Sequence, residues 1–198
     1  MKLCSSRVTR IAAGLGLVAV LSLGNALPAF AAADSGVTIT GGTLSGGAIT
    51  FAALGGITLN GTQQTSTAVW SIANIVDARG TGPGWNLSLT LSPLAEYNTG
   101  TSAYVTSGKT LASSSLKVTT APVVSLVDTT SSAATTVSPV AATTALDTGS
   151  AVKLSSAAAA GGMGSYSFSN MTATLTVPAN VYAKVYKTDA TVSLVTGP

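Results

Sequence analysis

The sequence predicts an all-β chain, a single antiparallel β-sandwich domain behind a cleaved signal peptide. Three observations carry that expectation. Beyond Ala33 the residues are mostly Thr, Ser, Ala, Val, Gly and Leu with very few charges; β-branched side chains fit a pleated surface, while Gly and Pro interrupt runs. The chain then falls into short apolar and polar stretches separated by turn residues, the pattern of a sandwich or barrel. Finally, Trp85, Leu87, Leu89 and Leu91 alternate with Asn86, Ser88 and Thr90. A strict period of two gives a strand one apolar and one polar face.

At the N-terminus, Lys2, Arg7 and Arg10 precede an apolar run from Ile11 to Leu23, followed by Pro28-Ala29-Phe30-Ala31-Ala32-Ala33. Basic residues, an apolar run and small residues at a cleavage point make residues 1–33 a secretory signal peptide. The run is shorter than the roughly 20 residues of a membrane span. Cleavage after Ala33 is preferred to cleavage after Ala31, which leaves 34–198 as the domain and no membrane insertion after processing. Cys4 lies before the apolar run and leaves with the leader, so the mature chain has no thiol for a disulfide or for thiolate chemistry.

Strands are expected near Val37–Thr40, Ala48–Ala53, Gly56–Asn60, Val69–Asp77, Trp85–Leu91, Ser114–Thr119 and Val123–Val127. Further strands are expected near Ala151–Ser155, Tyr166–Val177, Val181–Lys187 and Ala190–Val195. Within Tyr166–Val177 the apolar residues change face midway, which predicts a bulge or bend near Asn170. Thr129–Thr148 reads as a long loop or a loosely held excursion. Ala157–Ala160 with Gly161-Gly162 reads equally as a short helical turn or a small-residue loop. Thr81-Gly82-Pro83-Gly84 supplies a sharp turn just ahead of Trp85.

Three of the nine basic residues, Lys2, Arg7 and Arg10, belong to the leader. The mature chain therefore balances Arg79, Lys109, Lys117, Lys153, Lys184 and Lys187 against Asp34, Asp77, Glu96, Asp128, Asp147 and Asp189, and is neutral. Scattered, balanced charge lacks the cationic field that nucleic acid or an anionic membrane requires, and both are set aside as partners.

Catalysis has few routes here. The chain has no His and, after processing, no Cys, which removes the usual base near neutral pH and the usual nitrogen and sulfur metal ligands. Ser and Thr are abundant, but no G-x-S-x-G elbow occurs. Asp77 and Glu96 are the first carboxylate pair to consider for a glycosidase. Against that, Asp77 beside Arg79 reads as a local ion pair or turn cap, and Glu96 before Tyr97 as a solvated loop residue. The remaining carboxylates are isolated, so no metal or cofactor is assigned. The expectation is a non-enzyme.

The aromatic residues are the other candidates, because amphipathic rings stack on sugars and anchor interfaces. Trp70, in VWSIANIV, reads as a core residue. Trp85 either packs in the core or contacts a ligand; its face also carries Leu87, Leu89 and Leu91, which favours packing. Tyr182, Lys184 and Tyr186 share one face of the expected late strand and form a candidate contact surface. That face is expected to be more exposed than the Val181, Ala183, Val185 face.

The run IVDARGTGPGWNLSLT resembles the proximal motif of WxL-domain proteins, a Gly-rich turn before Trp-x-Leu, here Trp85-Asn86-Leu87. The C-terminal stretch from Tyr186 to Pro198 is similar in spacing to the distal motif Tyr-x-x-x-aliphatic-Thr-Trp-x-Leu-x-x-x-Pro, with Ala190 at the aliphatic position and Val192 where the second Trp belongs. VPANVYAKVY also resembles the family's approach to its last strands, with Lys184 where a Gly is frequent. The resemblance implies a secreted or surface protein of Gram-positive and related bacteria, attached non-covalently to the cell wall, peptidoglycan in particular. The motif residues it carries over are Trp85, Leu87, Tyr186 and Leu194.

Val192 and Leu194 alternate with Thr191 and Ser193 as Trp85 and Leu87 do with Asn86 and Ser88, which favours a packing role for the motif. Contact would then fall to surrounding surface such as the turn from Arg79 to Gly84, or Tyr182, Lys184 and Tyr186. The leading expectation is thus a non-catalytic protein of the cell envelope that binds wall glycan. The alternative is a structural or adhesive subunit that meets other surface proteins through sheet edges that few charges guard.

Overall fold

A computed structural model of the chain describes residues 37–197. The expected leader, its cleavage site and the domain start at Asp34 lie outside the described residues. Fifteen strands are found among those described. They are β1 (Leu44–Gly46), β2 (Ile49–Phe51), β3 (Gln64–Ile72), β4 (Ile75–Asp77), β5 (Trp85–Leu91), β6 (Ala95–Asn98), β7 (Ala103–Tyr104) and β8 (Leu116–Thr120). After them come β9 (Val124–Leu126), β10 (Val137–Pro139), β11 (Ala151–Ala157), β12 (Gly164–Phe168), β13 (Met171–Val177), β14 (Tyr186–Lys187) and β15 (Ala190–Thr196). A short 3-10 turn at Ala134–Thr136 is the helical element described.

The strands form four sheets, every pairing antiparallel: β1-β4-β12-β9, β2-β3-β13-β8, β10-β11-β5-β15 and a small β14-β6-β7 sheet. The first two share one logic. β1 runs on into β2, β3 into β4, β8 into β9 and β12 into β13, in matching order across both sheets. They are therefore one set of strands folded over a common corner, the device by which a single sheet becomes two packed layers. The expected strand Val69–Asp77 is split by this corner at Ala73-Asn74, where the Ala73 N–H donates to Ala48 C=O at 2.8 Å. The predicted bend near Asn170 is the corner between β12 and β13.

One apolar cluster fills the interior. Ile75 and Tyr166 come to it from the first sheet, Trp70, Ile72, Val118 and Met171 from the second, and Trp85, Leu87, Leu89 and Leu91 from the third. Trp70 is a core residue as expected; its indole N–H donates to Ala52 C=O at 3.1 Å and its ring meets Phe51 edge-on.

The structure corrects several local expectations. Val37–Thr40 and Gly56–Asn60 are not strands. In the second case the Asn60 carboxamide oxygen accepts from the Thr62 N–H and the Gln64 amide, so a side chain closes a turn where a ladder was expected. The strand expected over Val181–Lys187 shrinks to Tyr186–Lys187, and Ala183 and Val185 are exposed rather than turned inward. Thr129–Thr148 is not loosely held. It contains β10, and its far end bonds to β8 through Val118 N–H to Thr144 C=O and Leu146 N–H to Leu116 C=O, both 2.9 Å. Ala157–Ala160 closes β11 and enters a turn.

Candidate functional site

Trp85 opens β5 and is fully buried, as are Leu87 and Leu89. Its indole N–H donates to Gly162 C=O at 3.0 Å, and its ring tilts against Tyr166 with centroids 6.4 Å apart. Two glycines hold the pocket closed. Gly84 has φ +77°, and a Cβ there would sit 2.3 Å from Ala157 C=O. Gly162 has φ +70°, and a Cβ there would sit 2.7 Å from the Trp85 indole nitrogen. Only glycine satisfies both the left-handed backbone and the close approach.

The turn before Trp85 is clamped by Arg79. Its guanidinium forms a two-pronged ion pair with the buried Asp77 carboxylate, 2.8 Å for each prong, and also donates to Gly84 C=O and to Thr196 Oγ1. The hydrogen bond from Arg79 is the main cause holding the Asp77 carboxyl below its ordinary range. The expected ion pair is thus present, and the guanidinium ties β4, the turn and β15 together.

The distal half of the signature lies on β15, directly beside the proximal half. Leu194 opposes Leu87 and Val192 opposes Leu89, so the residues in the Trp position and its neighbour face the same interior as Trp85. Both are half-buried. Asn86, on the opposite face of β5, is also buried, and its amide donates to Gly197 C=O. The strand carrying Trp-x-Leu is therefore enclosed on both faces, and this sequence region offers little accessible side-chain surface.

Apart from Phe51 on β2, the exposed rings gather at the small sheet. Strands β6, β7 and β14 and the segment before β14 bring together Tyr97, Tyr104, Tyr182 and Tyr186, leaving Tyr166 as the buried tyrosine. The Tyr97 and Tyr104 rings meet edge-on, centroids 5.4 Å apart. Lys187 Nζ lies 3.7 Å from the Tyr97 ring centroid, and Lys109 Nζ lies 4.6 Å from that of Tyr182. Such ammonium-over-ring contacts hold cations at an aromatic face without neutralising them. Tyr182 is 59% exposed, whereas Tyr186 is half-buried and donates its hydroxyl to Tyr182 C=O.

Glu96 corrects its expectation as a solvated loop residue. It sits on β6, where its carboxylate meets Lys184 Nζ at 2.9 Å and accepts the Lys109 N–H at 3.0 Å. The Lys109 backbone bond, then Lys184, lower its pKa. Asp77 and Glu96 thus each have their own cationic partner in separate sheets. Tyr104 donates to Asp189 at 2.9 Å, and burial together with this bond pushes its phenol up to about 12. Among the described residues, no three His, Cys, Asp or Glu side chains gather to hold a metal ion. A shallow, open groove of about 400 Å³ beside β10 and β11 is lined by hydroxyls and small residues, among them Thr135, Thr136, Ser138 and Ser156, with no ring or charge.

The structure joins Tyr182, Lys184 and Tyr186 to Tyr97 and Tyr104, two others of the candidate aromatics, and to Lys109 and Lys187, which sequence reasoning did not single out. It separates them from Trp85 and Leu87, which lie in the core, and from Arg79, which is used as a clamp. The family model for the WxL domain, a surface cell wall-binding domain, matches residues 41–198. No curated protein and no solved structure matches the chain. Because the family match takes in every strand described here, the chain belongs to the WxL family of surface cell wall-binding domains.

Proposed function

We propose that this chain is a secreted, non-catalytic domain that attaches to peptidoglycan of a Gram-positive-type wall through the tyrosine and lysine end around β6, β7 and β14. The observation that carries this reading is the contrast in exposure: Trp85 and Leu87 are sealed in the core, while Tyr182 stands 59% exposed beside Lys109. Ring faces suit the C–H faces of sugars, and the ammonium groups of Lys109 and Lys187, which lie over rings rather than against a carboxylate, suit hydroxyls and carboxylates of wall glycan and its peptide stems. The absence of His and the separate engagement of Asp77 and Glu96 support a binding role over glycan hydrolysis.

Co-sedimentation with purified peptidoglycan tests the assignment. The double variant Tyr182→Ala, Lys109→Ala should bind about tenfold more weakly, a loss of about 1.4 kcal/mol, with an unchanged melting temperature. Undiminished binding by that folded variant would move the site elsewhere, and no binding by the wild-type chain across a range of salt would remove the wall-binding reading.

A further inference from the structure

The sheets differ in how their edges are protected. β1, β2 and β9 have three residues each, and β10 is equally short and ends in Pro139. β8 is longer, but residues 143–146 bond along its outer side, through Thr143 N–H to Val118 C=O and Val118 N–H to Thr144 C=O. β15 is neither short nor interrupted by proline, and among the described residues no segment bonds along its outer side; β1 comes close to it, but no backbone hydrogen bond joins the two. β15 runs seven residues, Ala-Thr-Val-Ser-Leu-Val-Thr, with no charge, no proline and no register shift against β5. Sheet edges of this kind template pairing with another strand.

The direction of its free groups follows from the bonds that flank it. Ser92 N–H donates to Asp189 C=O and Gly197 N–H to Gly84 C=O, so the odd-numbered residues turn their backbone groups toward β5. Ala190, Val192, Leu194 and Thr196 therefore turn theirs outward, and among the described residues none of them bonds to another backbone segment.

We propose that β15 is a self-association edge, two copies of the chain pairing antiparallel through it about a two-fold axis at Ser193. That register is self-complementary. Val192 faces the partner's Leu194 and Ala190 faces its Thr196, so every outward-turned amide and carbonyl meets an outward-turned partner. The half-buried side chains of Val192 and Leu194 pack against their equivalents across the axis, extending the apolar layer beneath β5. On the other face Thr191 meets Val195 and Ser193 meets Ser193, and no like charges oppose one another. A different extended protein would gain the same backbone bonds, but the chain's own strand supplies this side-chain match with no further partner. The edge is distinct from the tyrosine and lysine end, so the two readings can fail separately.

The symmetry makes a sharp test. Ser193 falls at a non-hydrogen-bonded antiparallel pair, where Cα atoms approach to about 4.5 Å, within the roughly 4.4–6.8 Å a disulfide spans. In the full chain carrying Cys4→Ser, Ser193→Cys should give a covalent dimer as the dominant species under mild oxidation. Thr191→Cys and Val195→Cys should stay monomeric when oxidised singly and crosslink when mixed. In sedimentation, Val192→Pro should abolish the dimer with unchanged circular dichroism, since it removes an outward N–H and leaves the β5 ladder intact. Equal crosslinking of all three single variants, a dimer that survives Val192→Pro, or a wild-type chain that sediments only as monomer would each overturn the proposal.

Discussion

Strands β5 and β15 carry the two halves of the WxL signature side by side, yet they live in different environments. β5 lies between β11 and β15, and Trp85, Leu87, Leu89 and Leu91 are at most 1% exposed. β15 is hydrogen-bonded to β5 alone, and Val192 and Leu194 remain half-buried. Residue type does not separate the two strands, since both alternate apolar and polar side chains. Position in the sheet does. A Trp at the head of the central strand fills space that nothing else fills, whereas at an edge position Val192 leaves no enclosed hole. The second Trp of the signature can be absent here because the site it would occupy is open on one side.

The hardest way to break this contrast is at Trp85. Trp85→Ala should cost about 3–5 kcal/mol, read as the shift in a denaturant midpoint, because it empties a fully buried site and orphans the Gly162 carbonyl. A cost near that of an exposed substitution would mean that the ring is not what fills the core. With the ring buried, cell-wall binding per folded molecule should be unchanged, since Trp85 is not accessible.

Next in size is the clamp ahead of Trp85. Asp77→Asn should cost about 3 kcal/mol, because it leaves the largely buried Arg79 guanidinium without its counter-charge. The fold lowers the Asp77 pKa, so the stability this group contributes is complete above its unfolded value near about 3.9 and disappears as pH falls through the lower folded value. Stability measured against pH should therefore fall on the acid side in the wild type, and that limb should be shallower in Asp77→Asn. Parallel limbs would show that other carboxylates govern acid unfolding.

Val192→Ala tests the open side of the comparison. With one hydrogen-bonded neighbouring strand and partial exposure, its loss should cost about 1 kcal/mol, well below Trp85→Ala. A cost equal to that of Trp85→Ala would place Val192 in the core and erase the distinction between the strands.

How much of this was legible in the sequence follows from how local each cause is. The alternation from Trp85 to Leu91 sets both faces of β5 with no long-range information, and the matched alternation at Val192 to Leu194 foretold the shared interior face. The corner between β12 and β13 was legible for the same reason: the apolar side switches within a few residues. Strands β1, β6, β7 and β10 are four residues or fewer, too short for periodicity to stand out, and they exist because a neighbour pairs with them. The tyrosine and lysine end is the clearest case of a non-local cause. Tyr182, Lys184 and Tyr186 could be singled out as one stretch, but Tyr97, Tyr104 and Lys109 join them only because β14 pairs with β6 and β6 with β7. Glu96 was misread as solvated because its two partners lie far along the chain.

The smallest effect concerns how β15 is anchored at its start. Asp189, immediately before β15, accepts the Tyr104 hydroxyl and so ties the small sheet to the edge strand. Partial burial first, and this bond second, favour the neutral phenol and raise its pKa to about 12. The fold thus prefers protonated Tyr104, and the stability it contributes is complete below the unfolded value of about 10 and is lost as pH rises through about 12. Tyr104→Phe should change stability at neutral pH by no more than about 0.5 kcal/mol while removing a step near about 12 from the phenolate absorbance titration. Asp189→Asn should lower that step only partway toward about 10, since burial is the larger cause. A full return would assign the shift to the hydrogen bond, and with it a stronger tie between the exposed tyrosines and the open edge of the sheet than partial burial alone provides.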